Sequence, residues 1–310
     1  MFLISEWIAP QGLTWLVEHG IEFEYHPTLH ENPDVLCDYL KTACALIVRN
    51  QTQVNARLLS RAPYLRAIGR LGVGLDNIDV NACRERNIQI ITARGANAPA
   101  VVEFVVSALL WHYRPWTEWV EETRRGQWNR RHGGGELLGK TVGIVGLGDI
   151  GRRVAETLLT FGCHLWGYDP RVGPYDSLVS THHMQKVQDL SVLLAQSDVV
   201  TLHAQLTPKT RHLINESALD VMRQNAVLLN TARGELIDER ALARQLSQGK
   251  FSRVILDVRE IEPPPQPDPL AEFGERVWLT PHLAGLSDPA LERTSLMILE
   301  EISRINCQNP

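Results

Sequence analysis

Short apolar runs alternate with amphipathic stretches along nearly the whole chain, and this alternation is typical of an α/β protein with parallel sheets. Runs typical of strands lie at residues 2–5, 45–48, 65–69, 89–92, 141–145, 164–168, 199–203, 226–230, 253–258 and 277–280. Helical patterns lie at residues 11–19, 98–111, 190–195, 216–222, 239–248 and 291–305, and another follows Gly151. The elements before about residue 97 form a small parallel α/β unit of their own, and those after it predict a second one.

The helix predicted from Ala98 toward Trp111 is too apolar to lie free on a surface. Trp116, Trp119 and Trp128 follow it in a polar, arginine-rich stretch. Large aromatic side chains in such a setting mark a buried contact. Two explanations stay open, which are packing in the core and an interface between subunits.

The sequence GLGDIG at residues 146–151 lies between a predicted strand and a predicted helix, which is the context that a dinucleotide fingerprint requires. Gly146 allows the tight turn, Gly148 lets the backbone approach a pyrophosphate, and Gly151 lets the helix pack closely on the strand. The pyrophosphate is expected on the N–H groups of the first helical turn.

An acidic residue, Asp169, ends the next predicted strand, eighteen residues after Gly151. A carboxylate at about this distance accepts hydrogen bonds from the adenine ribose and repels a 2′-phosphate, which favours NAD over NADP. The nearby guanidinium of Arg171 works against this preference, because it is able to turn toward a phosphate.

Polar residues that packing does not explain lie where the strands of the second unit end, namely His203, Arg233, Asp257, Glu262 and His282. In an open parallel sheet, ligands bind at the carboxyl ends of the strands, so a binding site is expected at this edge. In the first unit, glycines at residues 69–74 follow a strand, and their N–H groups are candidates for holding an anion. A turn that needs a positive φ explains these glycines equally well.

The length of 310 residues is large for a single core, so about two domains are expected. The apolar content of 44% and the charged content of 22% are ordinary for a soluble globular enzyme. A net charge of -5, without a dense stripe of Lys and Arg, argues against nucleic acid or an acidic membrane as the main partner. The sequence shows neither a signal peptide nor a membrane-spanning run, and a cytoplasmic protein is expected.

Cysteine spacing predicts neither a disulfide framework nor a metal site. The five cysteines are odd in number and show neither a CxxC pair nor a Cys/His ligand spacing. We interpret them as reduced, mostly structural thiols, as in a cytoplasmic protein. They are Cys37, Cys44, Cys83, Cys163 and Cys307.

Five stretches together resemble the D-isomer-specific 2-hydroxyacid dehydrogenase family, which includes phosphoglycerate dehydrogenase, hydroxypyruvate reductase and formate dehydrogenase. They are residues 72–77, 139–151, 230–234, 256–263 and 280–285, and they follow one another in the family's order. The resemblance implies an NAD-dependent oxidoreductase that interconverts a small D-2-hydroxy acid and its 2-keto acid. Formate dehydrogenase is the poorest fit, because its acid position holds glutamine whereas this chain has Glu262.

The resemblance also implies an α/β fold with two doubly wound parallel-sheet domains. A Rossmann cofactor domain, residues 98–285, is expected to be inserted in a flavodoxin-like substrate domain, residues 1–97 and 286–310. Members of the family dimerise through the cofactor domain. A homodimer that buries several of the tryptophans is therefore expected.

Three residues fit the chemistry of keto acid reduction, which needs a cation for the carboxylate, a proton donor for the ketone oxygen and a rigidly held hydride donor. Arg233 is able to grip the carboxylate with its planar fork and to polarise the carbonyl. His282 is able to donate the proton and to take it back in oxidation. Glu262, hydrogen-bonded to the other imidazole nitrogen, would fix the tautomer of the ring.

Further contacts are carried over from the family by position. Cofactor-binding residues are expected to be Gly146, Gly148, Asp149, Ile150, Gly151, Asp169, Ala204, Thr231, Ala232, Arg233, Asp257, His282 and Gly285. Substrate-binding residues are expected to be Arg49, Val73, Gly74, Arg233 and His282. One departure from the family is Gln205, which replaces the proline of the usual His-x-Pro-Leu-Thr and removes a stiffening residue from that loop.

The loop at residues 48–52 is expected to line the pocket for the substrate's tail. Its Arg49 suits a small polar or singly anionic tail, as in hydroxypyruvate, glyoxylate or a sulfonated or phosphorylated three-carbon acid. A structural role for Arg49, as a helix cap or as a partner of Asp76, stays open.

A non-catalytic dinucleotide sensor or corepressor of the same fold is the alternative function. Retention of Arg233, Glu262 and His282 favours the enzyme. A binding protein would also be expected to show a peptide-docking surface or a long tail, and the sequence displays neither.

Overall fold

The computed structural model contains two compact units, each built on a parallel sheet. The described residues are 1–173, 176–180 and 184–305, so Cys307 lies outside them. One unit comprises residues 1–97 and 286–310, and the other comprises residues 98–285. The predicted fold class, with two parallel α/β sheets, is confirmed. Within the described part of the chain, no helix combines the length and the apolar character needed to cross a membrane.

The strands and helices begin within a few residues of most positions that the sequence predicts. The strands are β1 (Phe2–Ile4), β2 (Phe23–Tyr25), β3 (Ala45–Val48), β4 (Ala67–Arg70), β5 (Gln89–Thr92), β6 (Thr141–Val145), β7 (His164–Tyr168), β8 (Gln185–Lys186), β9 (Val199–Leu202), β10 (Val227–Asn230), β11 (Arg253–Leu256) and β12 (Val277–Leu279). The α-helices are α1 (Pro10–Glu18), α2 (Pro33–Tyr39), α3 (Ala56–Ser60), α4 (Val80–Glu85), α5 (Ala98–Tyr113), α6 (Trp116–Arg124), α7 (Asp149–Thr160), α8 (Ser177–Ser180), α9 (Leu190–Gln196), α10 (Glu216–Val221), α11 (Glu239–Ser247) and α12 (Asp288–Ser303). Helix starts are explained in part by side chains that accept a first-turn N–H, namely those of Asn55, Asp79, Asp189, Asn215, Asp238 and Ser287.

The first sheet has the strand order β2-β1-β3-β4-β5, and its strands are all parallel. This is the flavodoxin-like order. Helix α12 belongs to this unit, because its Ile298 and Ile302 pack so closely on β4 that a Cβ at Gly69 would overlap both. Burial of these apolar side chains explains why residues after 286 join the first unit.

The second sheet has the order β8-β7-β6-β9-β10-β11-β12, again with parallel strands. Counted within the unit this order is 3-2-1-4-5-6-7, which is doubly wound with the reversal between β6 and β9. Helices α5 and α7 cover one face through Val105, Leu109 and Val154. Helices α9, α10 and α11 cover the other face, through Leu194, Leu219, Leu242 and their neighbours. Because both faces are covered, the central strands β9 and β10 are mostly apolar.

The strands that the sequence pattern missed have weak apolar signals. Strand β2 alternates half-exposed and exposed residues at a sheet edge, and β8 has two residues. The tryptophan-bearing stretch contains α6, in which no residue is buried. Trp111, Trp116 and Trp128 are 48%, 67% and 81% exposed. Core packing within this chain therefore does not account for these three side chains.

Candidate active site

The glycine loop between β6 and α7 has the shape that a pyrophosphate site needs. Gly146 has a positive φ of 95°, and a Cβ there would lie 2.6 Å from backbone atoms of His203 and Ala204. A Cβ at Gly151 would overlap the carbonyl group of Gly146. Gly148 is the N-cap of α7, and a Cβ on it would meet nothing within 4 Å, so space beside the loop is open. The loop therefore fits a dinucleotide whose pyrophosphate accepts hydrogen bonds from the N–H groups in the first turn of α7.

The carboxylate of Asp169 joins the end of β7 to the glycine loop. This buried side chain accepts the N–H of Leu147 at 3.0 Å and the N–H of Arg171 at 2.9 Å. A carboxylate has about four acceptor sites, so capacity for ribose hydroxyls remains. The guanidinium of Arg171 lies 3.8 Å from the same carboxylate and thus has an acidic partner within this chain. Asp149 and Ile150 open α7, and the side chain of Ile150 packs against the core.

The loop after β9 is held without the family's proline. Oγ1 of Thr210 donates to the carbonyl oxygen of Gln205 at 2.7 Å and accepts the N–H of Thr207 at 2.7 Å. At the start of the loop, Nε2 of His203 lies 3.0 Å from Oγ1 of Thr201. Desolvation lowers the pKa of His203 to about 3, so its imidazole is neutral at pH 7. His203 is therefore an uncharged side chain that packs beside the glycine loop.

His282 and Glu262 form a hydrogen-bonded pair. Nδ1 of His282 lies 2.8 Å from Oε2 of Glu262, which leaves Nε2 to exchange a proton elsewhere. The other oxygen of Glu262 accepts the N–H of Arg259 at 2.9 Å. Burial alone would raise the pKa of the Glu262 carboxyl, but these hydrogen bonds and the charges of His282 and Arg233 lower it below its ordinary value. The carboxylate is therefore ionised at neutral pH.

Arg233 lies in a turn after β10 whose shape is set by Asn230. The buried Asn230 donates to the carbonyl oxygen of Arg233 at 2.8 Å and accepts the N–H of Ala232 at 3.0 Å. Nη1 of Arg233 donates to the carbonyl oxygen of Ala232 at 2.7 Å, and its charge acts on Glu262. In the same turn, Oγ1 of Thr231 is buried and has no hydrogen-bond partner among the described residues. An unsatisfied buried hydroxyl fits a site that a ligand completes.

Asp257 holds the turn that carries His282. Its Oδ1 accepts the hydroxyl of Thr280 at 2.6 Å and the N–H of Leu283 at 2.7 Å, and its Oδ2 accepts the N–H of Ala284 at 2.8 Å. His282 itself has a positive φ of 57°. The sequence predicts a cofactor contact for Asp257, whereas the structure gives its side chain three partners within the protein.

In the first unit, the loop at residues 49–52 is built around Glu6. The buried carboxylate of Glu6 accepts the backbone N–H groups of all four loop residues, at 2.8 to 3.1 Å. Burial would raise the pKa of Glu6, but these hydrogen bonds lower it below its ordinary value. The guanidinium of Arg49 lies 5.7 Å from the centre of the Trp7 ring, within cation–π range. The backbone and the side chain of Arg49 are therefore both held.

Val73 and Gly74 lie in the loop after β4, at the same edge of the first sheet. Asn77 joins the neighbouring loops, because its Nδ2 donates to the carbonyl oxygen of Thr52 at 2.8 Å and its carbonyl accepts the N–H of Val54 at 2.8 Å. The loops that follow β3 and β4 thus form one hydrogen-bonded group at the carboxyl ends of the strands, where α/β sheets bind ligands.

Comparison with known proteins agrees with this geometry. The family model described as D-isomer specific 2-hydroxyacid dehydrogenase, NAD binding domain, matches residues 106–284. The chain belongs to this family. The match falls within the second unit, at the residues around the glycine loop, and the predicted NAD cofactor is confirmed.

Relatives in the D-2-hydroxyacid dehydrogenase family match most of the chain. The (S)-sulfolactate dehydrogenase of Chromohalobacter salexigens is 40% identical over 303 residues, covering 97% of each protein. The D-3-phosphoglycerate dehydrogenase of Methanocaldococcus jannaschii is 37% identical over 271 residues, and the chain spans 51% of its length. Among solved structures, the D-lactate dehydrogenase from Aquifex aeolicus complexed with NAD and lactic acid has a TM-score of 0.83 and 27% identity, with 98% of this chain and 94% of that chain covered.

Sequence reasoning missed three residues that shape the site, which are Glu6, Asn230 and Arg259. Each contacts other groups of the protein rather than a ligand, so family motifs give it no role. Asn230 had a signal, because it is the polar last residue of an apolar strand. Glu6 and Arg259 are buried charges, and burial of a charge is not visible in a local pattern.

Gly285, predicted to contact the cofactor, is the last residue of the second unit.

Proposed function

We propose that the chain is an NAD-dependent D-2-hydroxyacid dehydrogenase that interconverts a small 2-keto acid and its D-2-hydroxy acid. The observation that carries the proposal is the 2.8 Å hydrogen bond between His282 and Glu262, with the charge of Arg233 acting on the same carboxylate. A proton donor and a cation for a carboxylate are the two groups that this chemistry needs from the protein.

In the proposed reaction, Arg233 binds the substrate carboxylate through its planar guanidinium and polarises the neighbouring ketone. Nε2 of His282 delivers a proton to the ketone oxygen and recovers it in the reverse direction. Glu262 holds Nδ1, so the tautomer and the orientation of the ring stay fixed. NADH, when bound, supplies the hydride.

The proposed cofactor contacts fall into three groups. The glycine loop, with Asp149 and Ile150, holds the pyrophosphate, and the open space beside Gly148 supports this role. Asp169 holds the adenine ribose. The residues proposed for the nicotinamide side are Thr231, Ala232, Asp257 and Gly285. The unsatisfied hydroxyl of Thr231 supports that assignment.

For the tail of the substrate we propose a polar or anionic group recognised by Arg49, with the N–H groups of Val73 and Gly74 sharing the carboxylate. Burial lowers the pKa of Arg49, while the charge of Glu6 opposes this shift. A partly desolvated guanidinium interacts more strongly with an anion than an exposed one. The similarity to a sulfolactate dehydrogenase adds a sulfonated three-carbon acid to the candidates, beside hydroxypyruvate, glyoxylate and a phosphorylated three-carbon acid.

The loss of NADH absorbance on addition of a 2-keto acid tests the proposal. The panel comprises glyoxylate, pyruvate, hydroxypyruvate, sulfopyruvate and phosphohydroxypyruvate, each with NADH and with NADPH. We expect turnover with at least one acid and a preference for NADH. Binding of NADH without turnover of any acid would favour the sensor or corepressor, which nothing in the described residues supports.

We also propose a homodimer formed through the tryptophan surface, defined as Trp111, Trp116 and Trp128. Its support is the exposure of these three large side chains on a single chain, which core packing does not explain. A cytoplasmic location stays a prediction from the sequence.

A further inference from the structure

The side chain of Arg259 is buried between two carboxylates, three residues before Glu262. Its Nε and Nη2 donate to the two oxygens of Glu239, both at 3.0 Å. Its Nη1 and Nη2 donate to the two oxygens of Asp268, at 2.5 and 2.9 Å. The guanidinium is thus held by two bidentate pairs, which fix both its position and its plane.

These pairs keep Arg259 charged. Burial would lower its pKa, but the hydrogen bonds to Asp268 and Glu239 and their charges raise it above the ordinary value. One cation and two anions are thus largely removed from water, and the cost of desolvation offsets much of their attraction. Replacing such buried ion pairs by apolar side chains is often neutral for stability, so the cluster fits a requirement for defined geometry at least as well as a stabilising role.

The backbone of Arg259 contacts the proposed catalytic machinery. Its N–H donates to one oxygen of Glu262 at 2.9 Å, and the other oxygen lies 2.8 Å from Nδ1 of His282. On the opposite side, a Cβ at Gly234 would overlap the carbonyl group of Arg259. Gly234 directly follows Arg233. The backbone of Arg259 therefore contacts both the turn that carries the proposed carboxylate-binding arginine and the proposed acid–base pair.

Glu239 fixes the adjacent peptide as well. The oxygen that accepts from Nε of Arg259 also accepts the N–H of Glu260 at 2.8 Å. Glu239 is the first residue of α11, where a carboxylate is favoured by the helix dipole, and it is therefore attached to a rigid element. The side chain of Glu260 lies 2.6 Å from Nε2 of His212 and 3.4 Å from Arg211.

We propose that Arg259 is a positioning residue for the dehydrogenase reaction. Its side chain, clamped by Glu239 and Asp268, fixes the backbone N–H that orients the Glu262 carboxylate, and through Glu262 it orients His282. The inference rests on the proposed function where it is tested by enzyme kinetics. The NMR test described below does not depend on that function.

Arg259→Lys is the variant of choice, because lysine keeps the charge and loses the planar fork that serves two carboxylates. We expect kcat to fall at least about tenfold, since small displacements of a catalytic group have effects of this size or larger, with KM for NADH unchanged. Arg244→Lys is the matched control. Arg244 lies on α11, as Glu239 does, and makes a bidentate pair with Glu216 at 3.1 and 2.9 Å. Because this pair is exposed, Arg244→Lys should leave kcat unchanged.

Two kinetic readouts separate positioning from fold stability. In a protein that already carries Glu262→Gln, Arg259→Lys should lower kcat by a further factor of less than about two. The two losses should not add fully, because Arg259 is proposed to act through Glu262. The pH profile of kcat should move in the same direction in Arg259→Lys as in Glu262→Gln. Fully additive losses with a wild-type pH profile would overturn the inference.

An NMR titration of the His282 imidazole, assigned by comparison with His282→Gln, needs no turnover. Arg259→Lys should change this titration in the same sense as Glu262→Gln, and an unchanged titration would overturn the inference. A wild-type protein that reduces none of the keto acids would refute the proposed function alone. Should Arg259→Lys fail to fold, Glu239→Gln replaces it with the same criteria, because the pair of Arg259 with Asp268 remains.

Discussion

Asp257 accepts the main-chain N–H of His282 at 2.8 Å through its carbonyl oxygen, while its carboxylate binds the N–H groups of the next two residues. His282 has a positive φ, which costs about 1–3 kcal/mol in a residue other than glycine. One aspartate therefore holds the strained turn that carries the imidazole of the proposed proton donor.

We expect Asp257→Asn to weaken this turn. The amide NH₂ would replace a carboxylate oxygen that accepts a hydrogen bond, and it would face an N–H or hydroxyl donor instead. Loss of one such bond costs about 1–3 kcal/mol, so thermal unfolding should occur at a lower temperature. The fall in kcat should exceed the fall in NADH affinity. Equal losses in both, with unchanged thermal stability, would show that Asp257 serves the cofactor alone.

His282→Gln is expected to reduce kcat by about 10²- to 10⁴-fold, because general acid catalysis contributes typically that much. Binding of NADH, measured by fluorescence, should survive within a few-fold. Turnover near the wild-type rate in this variant would exclude His282 as the proton donor.

Glu6→Gln is expected to destabilise the fold, because the side-chain NH₂ would face two of the four backbone N–H groups that Glu6 accepts. Hydrogen bonds to a charged group contribute about 1.5–3 kcal/mol each, and we expect a loss of about 2–4 kcal/mol in the free energy of unfolding at pH 7. Chemical denaturation measures it, with Glu18→Gln as the exposed control.

The effect of Glu6 should depend on pH in a defined direction. Because the pKa of Glu6 is lowered in the folded state, its contribution is fully present above the ordinary glutamate pKa of about 4.3. It is lost as the pH falls through the lower, folded value. The difference in unfolding free energy between wild type and Glu6→Gln should therefore shrink at acidic pH. A constant difference would mean that the amide NH₂ facing the backbone N–H groups, rather than loss of the charge, is responsible.

Arg49→Ala should lower kcat/KM for an anionic-tailed keto acid about 10- to 100-fold, since a charge-assisted hydrogen bond contributes about 1.5–3 kcal/mol. Glyoxylate, which lacks a tail, should change less than about threefold. Arg49→Lys keeps the charge, so its kcat/KM for the anionic-tailed acid should lie between those of the wild type and Arg49→Ala. If the ranking of anionic over neutral substrates is the same in all three proteins, Arg49 does not select the substrate.

The tryptophan surface should be covered by a second copy of the chain. Sedimentation at micromolar concentration is expected to give twice the monomer mass of 34.9 kDa. Trp116→Glu should shift the protein toward monomer, because a charge buried in the proposed interface would be costly. Tyr64→Glu, at an exposed position in the first unit, is the control. A wild-type monomer would refute the dimer.

The sequence predicted the strands β6 and β7 to the residue, because apolar runs bounded by glycine and by an acid leave little freedom in their limits. The contact between Glu6 and the loop at residues 49–52 was not predictable, since it joins positions more than forty residues apart without a motif. The pairing of Glu262 with His282 was predicted from the family, whereas the N–H of Arg259 that completes it depends on backbone geometry. The local sequence pattern therefore predicts the strands and helices, whereas the polar contacts that shape the loops depend on the tertiary structure.

The packing of α12 on the first sheet has a consequence for biosynthesis. Residues 98–285 form a continuous stretch and are able to fold as soon as they are synthesised, but the first unit lacks Ile298 and Ile302 until the ribosome has passed both. The usual order, in which the N-terminal domain folds first, is therefore expected to be reversed. We therefore expect the apolar face around Gly69 to lack its α12 partner throughout synthesis of the second unit.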